Sequence, residues 1–406
     1  MVEGVVTYLL TSAVPFVLVL SLVVVVHEFG HFFVARHFGV AIKSFSLGWG
    51  APLVSRTDKH GTVWKISQIP IGGFVSFIDD ADPTSSRPAP EAMRGVDHAE
   101  QKRRGYLRAQ PVGVRAAIAA AGPVVNFIFA IAVFALIVMV QGKNITDVAA
   151  LSPRIDTVSV GQPAAKAGLR EGDVIVSIEG AAISSFGAMQ ETVRARPGAT
   201  LNFEVRRPDG THALTVTVGS QKSVDETGIE KTVGVLGVGR ITAPDEVVIK
   251  RLNPIEAIGE GAWMVWRMLA QTAQYLGNLF SGRASSEHIM GPLGIFDTSG
   301  KVTQGALQAS TSAGDAIGNL AISLLGWAAM LSVAVGFANL LPIPSLDGGQ
   351  LVLCGLEAVR RRPLSDRSQE VGFSISALMI LGLFVFATWN DLQRFKLLEF
   401  VGRILS

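Results

Sequence analysis

Four apolar runs, at roughly 6–34, 112–140, 314–341 and 370–390, dominate this sequence. Each is long enough to cross a bilayer, which takes about 20 helical residues. In hydrocarbon every backbone amide needs a partner within the chain, so such runs are confined to helices. With 49% hydrophobic and 17% charged residues, the composition lies on the membrane side of globular averages. The expected fold is a polytopic α-helical membrane protein of about four transmembrane helices. Near the N-terminus stands Glu3 where a signal peptide would be basic, and no small-residue cleavage site follows. The first run therefore reads as a retained helix.

The polar stretches divide the chain further. Residues 39–78 alternate apolar and polar positions between turns and predict a small β-sheet or hairpin array. From Asp79 to Arg108 the chain is charged and poor in apolar residues, which predicts a flexible loop with a short surface helix. Residues 150–240 hold short strands around one helical segment and predict a compact soluble α/β module. The segment 254–279 is amphipathic and suits an interfacial or bundle-packed helix better than a fifth span. The expected divisions are thus 1–148 with the first two spans and the β-region, 149–240, 241–313, and 314–406 with the last two spans.

Basic residues orient the chain. They crowd the 37–110 connection and recur as Arg360, Arg361, Arg362 and Arg367 before the last span, so both loops are expected on the cytoplasmic side. The 150–240 module then lies on the opposite side of the membrane. A net charge of +2 without a basic, aromatic-interleaved stripe implies no nucleic-acid partner. The lone Cys354 excludes a disulfide framework and a cysteine zinc cluster, and reads as a buried structural thiol.

Inside the first span, "VVVVHEFGHFF" (23–33) places three ionisable groups at membrane depth. That is costly enough to mark a functional site with a partner. On a helix His27 and His31 share one face, so both imidazoles can reach one Zn²⁺ at about 2.0–2.1 Å. Glu28 is placed to hold the attacking water and take its proton. The alternative is a pair of histidines and a carboxylate capping or pairing within a bundle.

A catalytic zinc site usually has three protein ligands and one open position. His37 would point off the ligand face, His60, His98 and His212 lie in polar stretches, and His288 precedes a turn. The better candidate is Asp347 in "FANLLPIPSLDGGQ" (337–350). Pro342 and Pro344 stop the preceding helix, and Gly348 and Gly349 permit a tight turn, so a carboxylate there can enter the bundle. Asp347 could equally cap the next helix, alone or in addition.

"HEFGH" in a first membrane helix with "NLLPIPSLDGG" in a later one resembles the site-2 protease family of intramembrane zinc proteases. Within that family it resembles the bacterial regulator of sigma-E protease type. "AGPVVNFIFAI" (121–131) is similar to the family's second-helix motif, and "GPLGI" (291–295) to its segment before the third span. The resemblance implies His27, His31 and Asp347 as Zn²⁺ ligands, Glu28 as general base, and Asn126 and Asn339 lining the site. It implies that "PIGGFVSF" (70–77), with Gly72 and Gly73, is a β-loop that pairs with unwound substrate, consistent with strand addition satisfying freed amides.

"AAKAGLREGDVIVSIEG" (164–180) resembles a PDZ domain, with "GVLGVG" (234–239) as its carboxylate-binding loop and edge strand. One such domain fits here where the sigma-E type carries two. The implied partners are transmembrane substrates, such as an anti-sigma factor or signal-peptide remnants, and peptide or substrate ends on the PDZ domain. An aspartyl intramembrane protease would need a second membrane aspartate, and a rhomboid-type enzyme a membrane serine–histidine pair. A PDZ-bearing scaffold with a dead metal site is the non-enzyme alternative.

Overall fold

The computed structural model describes residues 2–82, 85–88, 96–225, 227–286, 289–362 and 366–394. The principal elements in chain order are α1 (Val2–His37), β1 (Ile42–Thr57), β2 (Val63–Phe77), α2 (Val112–Gln141), β3 (Val174–Ile178) and β4 (Ala181–Ala182). Then come α3 (Phe186–Arg194), β5 (Thr200–Arg207), β6 (Gly210–Thr217), β7 (Gly219–Val224) and β8 (Glu230–Val235). The chain ends in α4 (Pro254–Phe280), α5 (Pro292–Gln308), α6 (Ala313–Asn339), α7 (Asp347–Arg360) and α8 (Asp366–Arg394).

Among the described residues four helices are long and apolar enough to cross a membrane: Leu10–His37, Val112–Gln141, Ala313–Asn339 and Val371–Arg394. The amphipathic α4 is not among them. By contacts the chain forms two compact units, residues 1–137, 254–269 and 289–406 in one, and 138–253 and 270–288 in the other. The second unit is larger than the 149–240 expected from sequence. Two local contacts account for that: Lys143–Asn144 pairs antiparallel with Ile249–Lys250, and Asn278 donates to the Thr227 carbonyl at 2.9 Å.

In the first unit, β1 and β2 are long and bent. Residues 63–67 pair with 44–47 on one side and 52–57 on the other, while 73–77 pair along the far side of 42–47. Residues 73–77 are therefore an edge. The sheet is fastened to the end of α1 by an aromatic cluster of Phe29, Phe32, Phe45 and Trp64, with centroids 4.9–6.3 Å apart. Such packing brings the 73–77 edge beside the polar turn of α1.

The described residues between Asp79 and Arg108 make defined contacts that their composition does not display. Asp79 is buried and accepts the N–H groups of Leu107 (3.1 Å) and Arg108 (3.0 Å). A carboxylate with two amide donors is satisfied internally, and composition alone cannot display such a pairing. Asp80–Asp82 pairs with Ser85–Pro88, and His98–Arg103 is the short helix. Pro83 and Pro90 lie outside the described residues.

The second unit is built on an antiparallel sheet of order β6–β5–β3–β4 with the β7–β8 hairpin beside α3. The alternating pattern of β5 turns Leu201, Phe203 and Val205 inward and Asn202, Glu204 and Arg206 outward, as a one-sided strand requires.

Candidate zinc centre

Two helical segments and a helix start supply the site. His27 and His31 stand one turn apart on α1, with Nε2 atoms 3.1 Å from each other. Asp347 Oδ2 lies 3.1 Å from His27 Nε2 and 3.5 Å from His31 Nε2. The three form the one group of metal-capable side chains found among the described residues. Asp347 is the first residue of α7, and the N-cap before it, Leu346, makes no side-chain cap. Its carboxylate thus faces the imidazoles instead of capping its own helix.

Why α7 can deliver it there is a matter of close approach. A Cβ on Gly348 would lie 2.2 Å from the Leu340 carbonyl oxygen, and one on Gly349 2.1 Å from that of Ile343. Both glycines have ordinary helical backbones; positive φ is not what they provide. Sequence reasoning took them for a turn, and the structure uses them to seat the first turn of α7 against the proline-broken segment.

On α2, residues 115, 118, 119, 122 and 126 form one helical stripe facing the site. A Cβ on Gly122 would lie 2.5 Å from His31 Nε2 and 2.8 Å from His27 Nε2. Only a hydrogen leaves room there. Gly30 on α1 permits the approach from the other side, since its Cβ would meet the Ala121 carbonyl oxygen at 2.4 Å. Neither glycine was singled out from sequence; the "AGP" triplet before "VVNF" was the available sign.

The imidazoles are oriented from behind. His31 Nδ1 donates to the Ile118 carbonyl at 2.8 Å, which leaves Nε2 with a free lone pair. The Asn126 amide lies 3.2 Å from His27 Nδ1. A His27 that presents Nε2 as a ligand carries its proton on Nδ1 and needs an acceptor there. With the amide turned so that Oδ1 takes that place, both requirements are met, including that of the otherwise unpartnered Oδ1. Asn126 has no exposed surface, so it stands behind His27 and does not line the cavity.

Glu28 Oε2 accepts the Val75 N–H of the β2 edge at 3.0 Å. His27, Glu28, His31, Asp347, Asn339 and Gly73 share the wall of one cavity of about 350 Å³. Gly72 is set by its own strand: φ is +80°, and Trp49 Nε1 stands 3.2 Å from where a Cβ would be. Gly73 passes beneath Ser46, whose carbonyl oxygen would be 2.5 Å from a Cβ. The remaining histidines are elsewhere. His37 packs edge-on to Phe38, His60 sits in the Asp58 turn, His98 begins a surface helix and His212 pairs with Asp209. His288 lies outside the described residues. Cys354 is a buried free thiol on the same cavity wall.

The residues present fit Zn²⁺. Asp347 Oδ2 is buried, makes no hydrogen bond and points at two imidazole nitrogens. Ligand separations of 3.1–3.5 Å match the edge of about 3.3 Å that tetrahedral bonds of about 2.0–2.1 Å imply. Two imidazoles, one carboxylate and a neighbouring glutamate are the donor set of a metallohydrolase.

The comparisons with known proteins agree. The model of "Peptidase family M50" matches residues 15–383. The chain belongs to that family, the site-2 proteases. It is 40% identical over 404 residues to the metalloprotease MmpA of Caulobacter vibrioides, covering 98% of this chain and 99% of that one. The regulator of sigma-E protease RseP of Escherichia coli is 27% identical over 473 residues, covering 93% and 98%. The zinc metalloprotease RasP of Oceanobacillus iheyensis is 26% identical over 452, covering 95% and 99%. The protein is an integral membrane zinc metalloendopeptidase of the intramembrane type.

Proposed function

We propose that this enzyme hydrolyses a peptide bond within or next to the transmembrane segment of single-span membrane proteins, such as an anti-sigma factor or signal-peptide remnants. In this reading His27, His31 and Asp347 hold Zn²⁺ and Glu28 is the general base. The observation that carries it is the convergence of the two Nε2 atoms and Oδ2 within 3.1–3.5 Å beside a glutamate on the same cavity.

A Zn²⁺ held there supplies Lewis acidity, which makes water nucleophilic near neutral pH and polarises a carbonyl. Glu28, steadied by the Val75 N–H, takes a proton from the attacking water. As the C–N bond breaks, it passes that proton to the leaving amine. Asn339, on the cavity wall, is positioned to support the oxygen that gains charge.

The substrate is read as an extended strand added along the β2 edge near Gly72 and Gly73. A helix pulled open at membrane depth needs partners for its freed amides, and a sheet edge supplies them. The outward N–H groups of Val75 and Phe77 now end on Glu28 and Asp80, so that edge already faces the chemistry.

The second unit is read as a PDZ domain that takes peptide or substrate ends, or screens bulky substrates. A groove between α3 and residues 233–238, lined by Met189, Val193, Arg194 and Gly237 among others, supports this. The alignment with RseP runs over 473 residues against the 406 of this chain, which agrees with one such domain where the relative has more chain. The charge of the 37–110 and 360–367 loops supports an active site opening to the cytoplasm and a periplasmic PDZ domain in a bacterial inner membrane.

Wild type, Asp347→Ala and Glu28→Gln, each purified in detergent, test the assignment through zinc content and cleavage of a model single-span substrate. Wild type should hold one zinc. Asp347→Ala should lose it, and Glu28→Gln should keep it while cleavage drops about 100- to 10,000-fold. Full zinc in Asp347→Ala would move the third ligand elsewhere. Undiminished cleavage by Glu28→Gln would remove the general base.

A further inference from the structure

The helix that carries Asp347 is held within the chain mainly along one side. Asp347, Gln350, Cys354 and Glu357 face the cavity, whereas Val352, Leu356 and Val359 are exposed, Val359 to 84%. At the far end of the cavity face, Glu357 Oε1 accepts from Arg115 Nη2 of α2 at 2.5 Å. Ten residues separate Glu357 from Asp347, about 15 Å of helix.

We infer that the Arg115–Glu357 ion pair is a clamp that fixes α7 against α2 and so positions Asp347 for the metal. The inference rests on the ligand assignment proposed above. Arg115 and Glu357 are positioning residues, acting through α7 and α2 and not as members of the three-ligand set. Both side chains are about four-fifths buried, at 22% and 19% exposure, where removing one partner leaves a costly lone charge. The Arg115 Nε is buried without a hydrogen-bond partner, and the guanidinium is held through Nη2 by Glu357.

Geometry explains why the clamp reaches the ligand set. Arg115 stands on the α2 stripe whose Ile118 carbonyl orients His31 and whose Asn126 backs His27. Fixing α7 to that stripe therefore sets all three ligands from one helix. Loss of the pair removes the ion-pair anchor ten residues from Asp347 while the first turn stays seated at Gly348 and Gly349, and a tilt about that turn carries Oδ2 out of reach.

The test is zinc affinity of the full-length enzyme in detergent, measured by competition with a chromogenic chelator, together with the rate of zinc release. Arg115→Ala and Glu357→Gln should each bind zinc about tenfold or more weakly, as loss of outer partners does in metal sites. The charge-exchanged double variant Arg115→Glu/Glu357→Arg should recover most of that loss. The near-isosteric Glu357→Gln guards against misfolding, as does a monodisperse elution profile.

Wild-type zinc affinity in both single variants would overturn the clamp. So would a double variant that binds as weakly as the singles. Asp347→Ala, run alongside, separates the two levels. If it loses zinc while the Arg115 and Glu357 variants bind normally, only the clamp fails; if it keeps zinc, the ligand assignment falls and the clamp with it.

Discussion

The two units of this protein bury different mixtures of residue, although both enclose large apolar side chains, as Phe32, Phe45 and Phe134 do in the first. The second unit encloses Ile155, Ile175, Ile178, Phe203, Val205, Val216 and Val218 almost completely. The first buries Ala130, Ala328, Ala329, Ser299, Ser332, Asn126 and His27, and turns Leu10, Leu18, Phe33 and Leu378 outward. Water drives the first pattern, because removing large apolar surface from it is favourable. Lipid as the surroundings removes that drive, and helices then associate through small residues that allow close backbones and through internal hydrogen bonds. Where α1 and α2 meet on Gly30 and Gly122 the close approach leaves the imidazoles a polar pocket; the core around Phe203 and Ile175 has no such gap. The candidate metal ligands His27, His31 and Asp347 sit in that pocket of the first unit.

That contrast is broken most severely at Gly122. Alanine there puts a methyl group where the two Nε2 atoms converge, so the rings must part. Gly122→Ala should lower zinc affinity by about 100-fold or more, at the upper range seen for disturbed metal surroundings, and abolish cleavage. Helix propensity favours alanine by about 1 kcal/mol, so the bundle should stay folded. Retained zinc, read by metal content of the purified variant, would show that the rings have slack the distances do not suggest.

The site was legible where rarity spoke. Three ionisable groups inside a valine run and one acid at the end of an apolar segment stand out by residue type, and the structure brings His27, His31 and Asp347 together. The supports were not legible. A glycine in a membrane helix reads as ordinary packing, so Gly122 and Gly30 carried no mark. The Glu28 contact is with a backbone N–H 47 residues away, and backbone donors have no sequence signature. Asp79 looked like part of a solvated loop because its partners, the amides of Leu107 and Arg108, are equally silent. In the second unit the short strands are legible from sequence, but the contribution of 270–288 depends on contacts such as Asn278 with Thr227 that no periodicity announces.

The reverse substitution sharpens the comparison from the water-facing side. Phe203 is fully buried in the second unit, and Phe203→Ala should destabilise that unit by about 3–5 kcal/mol through lost transfer energy and the cavity left behind. Amide exchange across β5 and its neighbours should quicken accordingly, while zinc content stays at the wild-type value. Zinc loss in this variant would mean the two units do not keep packing and chemistry apart.

The smallest expected effect is in pH dependence, where one acid from each unit should act with opposite sign. Burial, aided by Asp79, raises Asp80 to about 7, against the Phe77 N–H and the charges of Arg108 and Lys43. The folded state therefore prefers the protonated acid, and this part of the stability is lost as pH rises from about 4 towards 7. Burial also pushes Asp173 upward, but Arg207, at 2.7 and 2.8 Å, and the Arg170 N–H outweigh it, so its carboxyl is held below the ordinary value. Its contribution is present above the ordinary carboxylate range and is lost as pH falls below it. Asp80→Asn should accordingly gain protection at the β2 edge relative to wild type at pH 8 but not at pH 4. Asp173→Asn should lose protection around β3 at pH 8 and differ less near pH 3. Parallel pH slopes for the two variants would mean that the β2 edge handles a buried carboxylate as the water-facing sheet does.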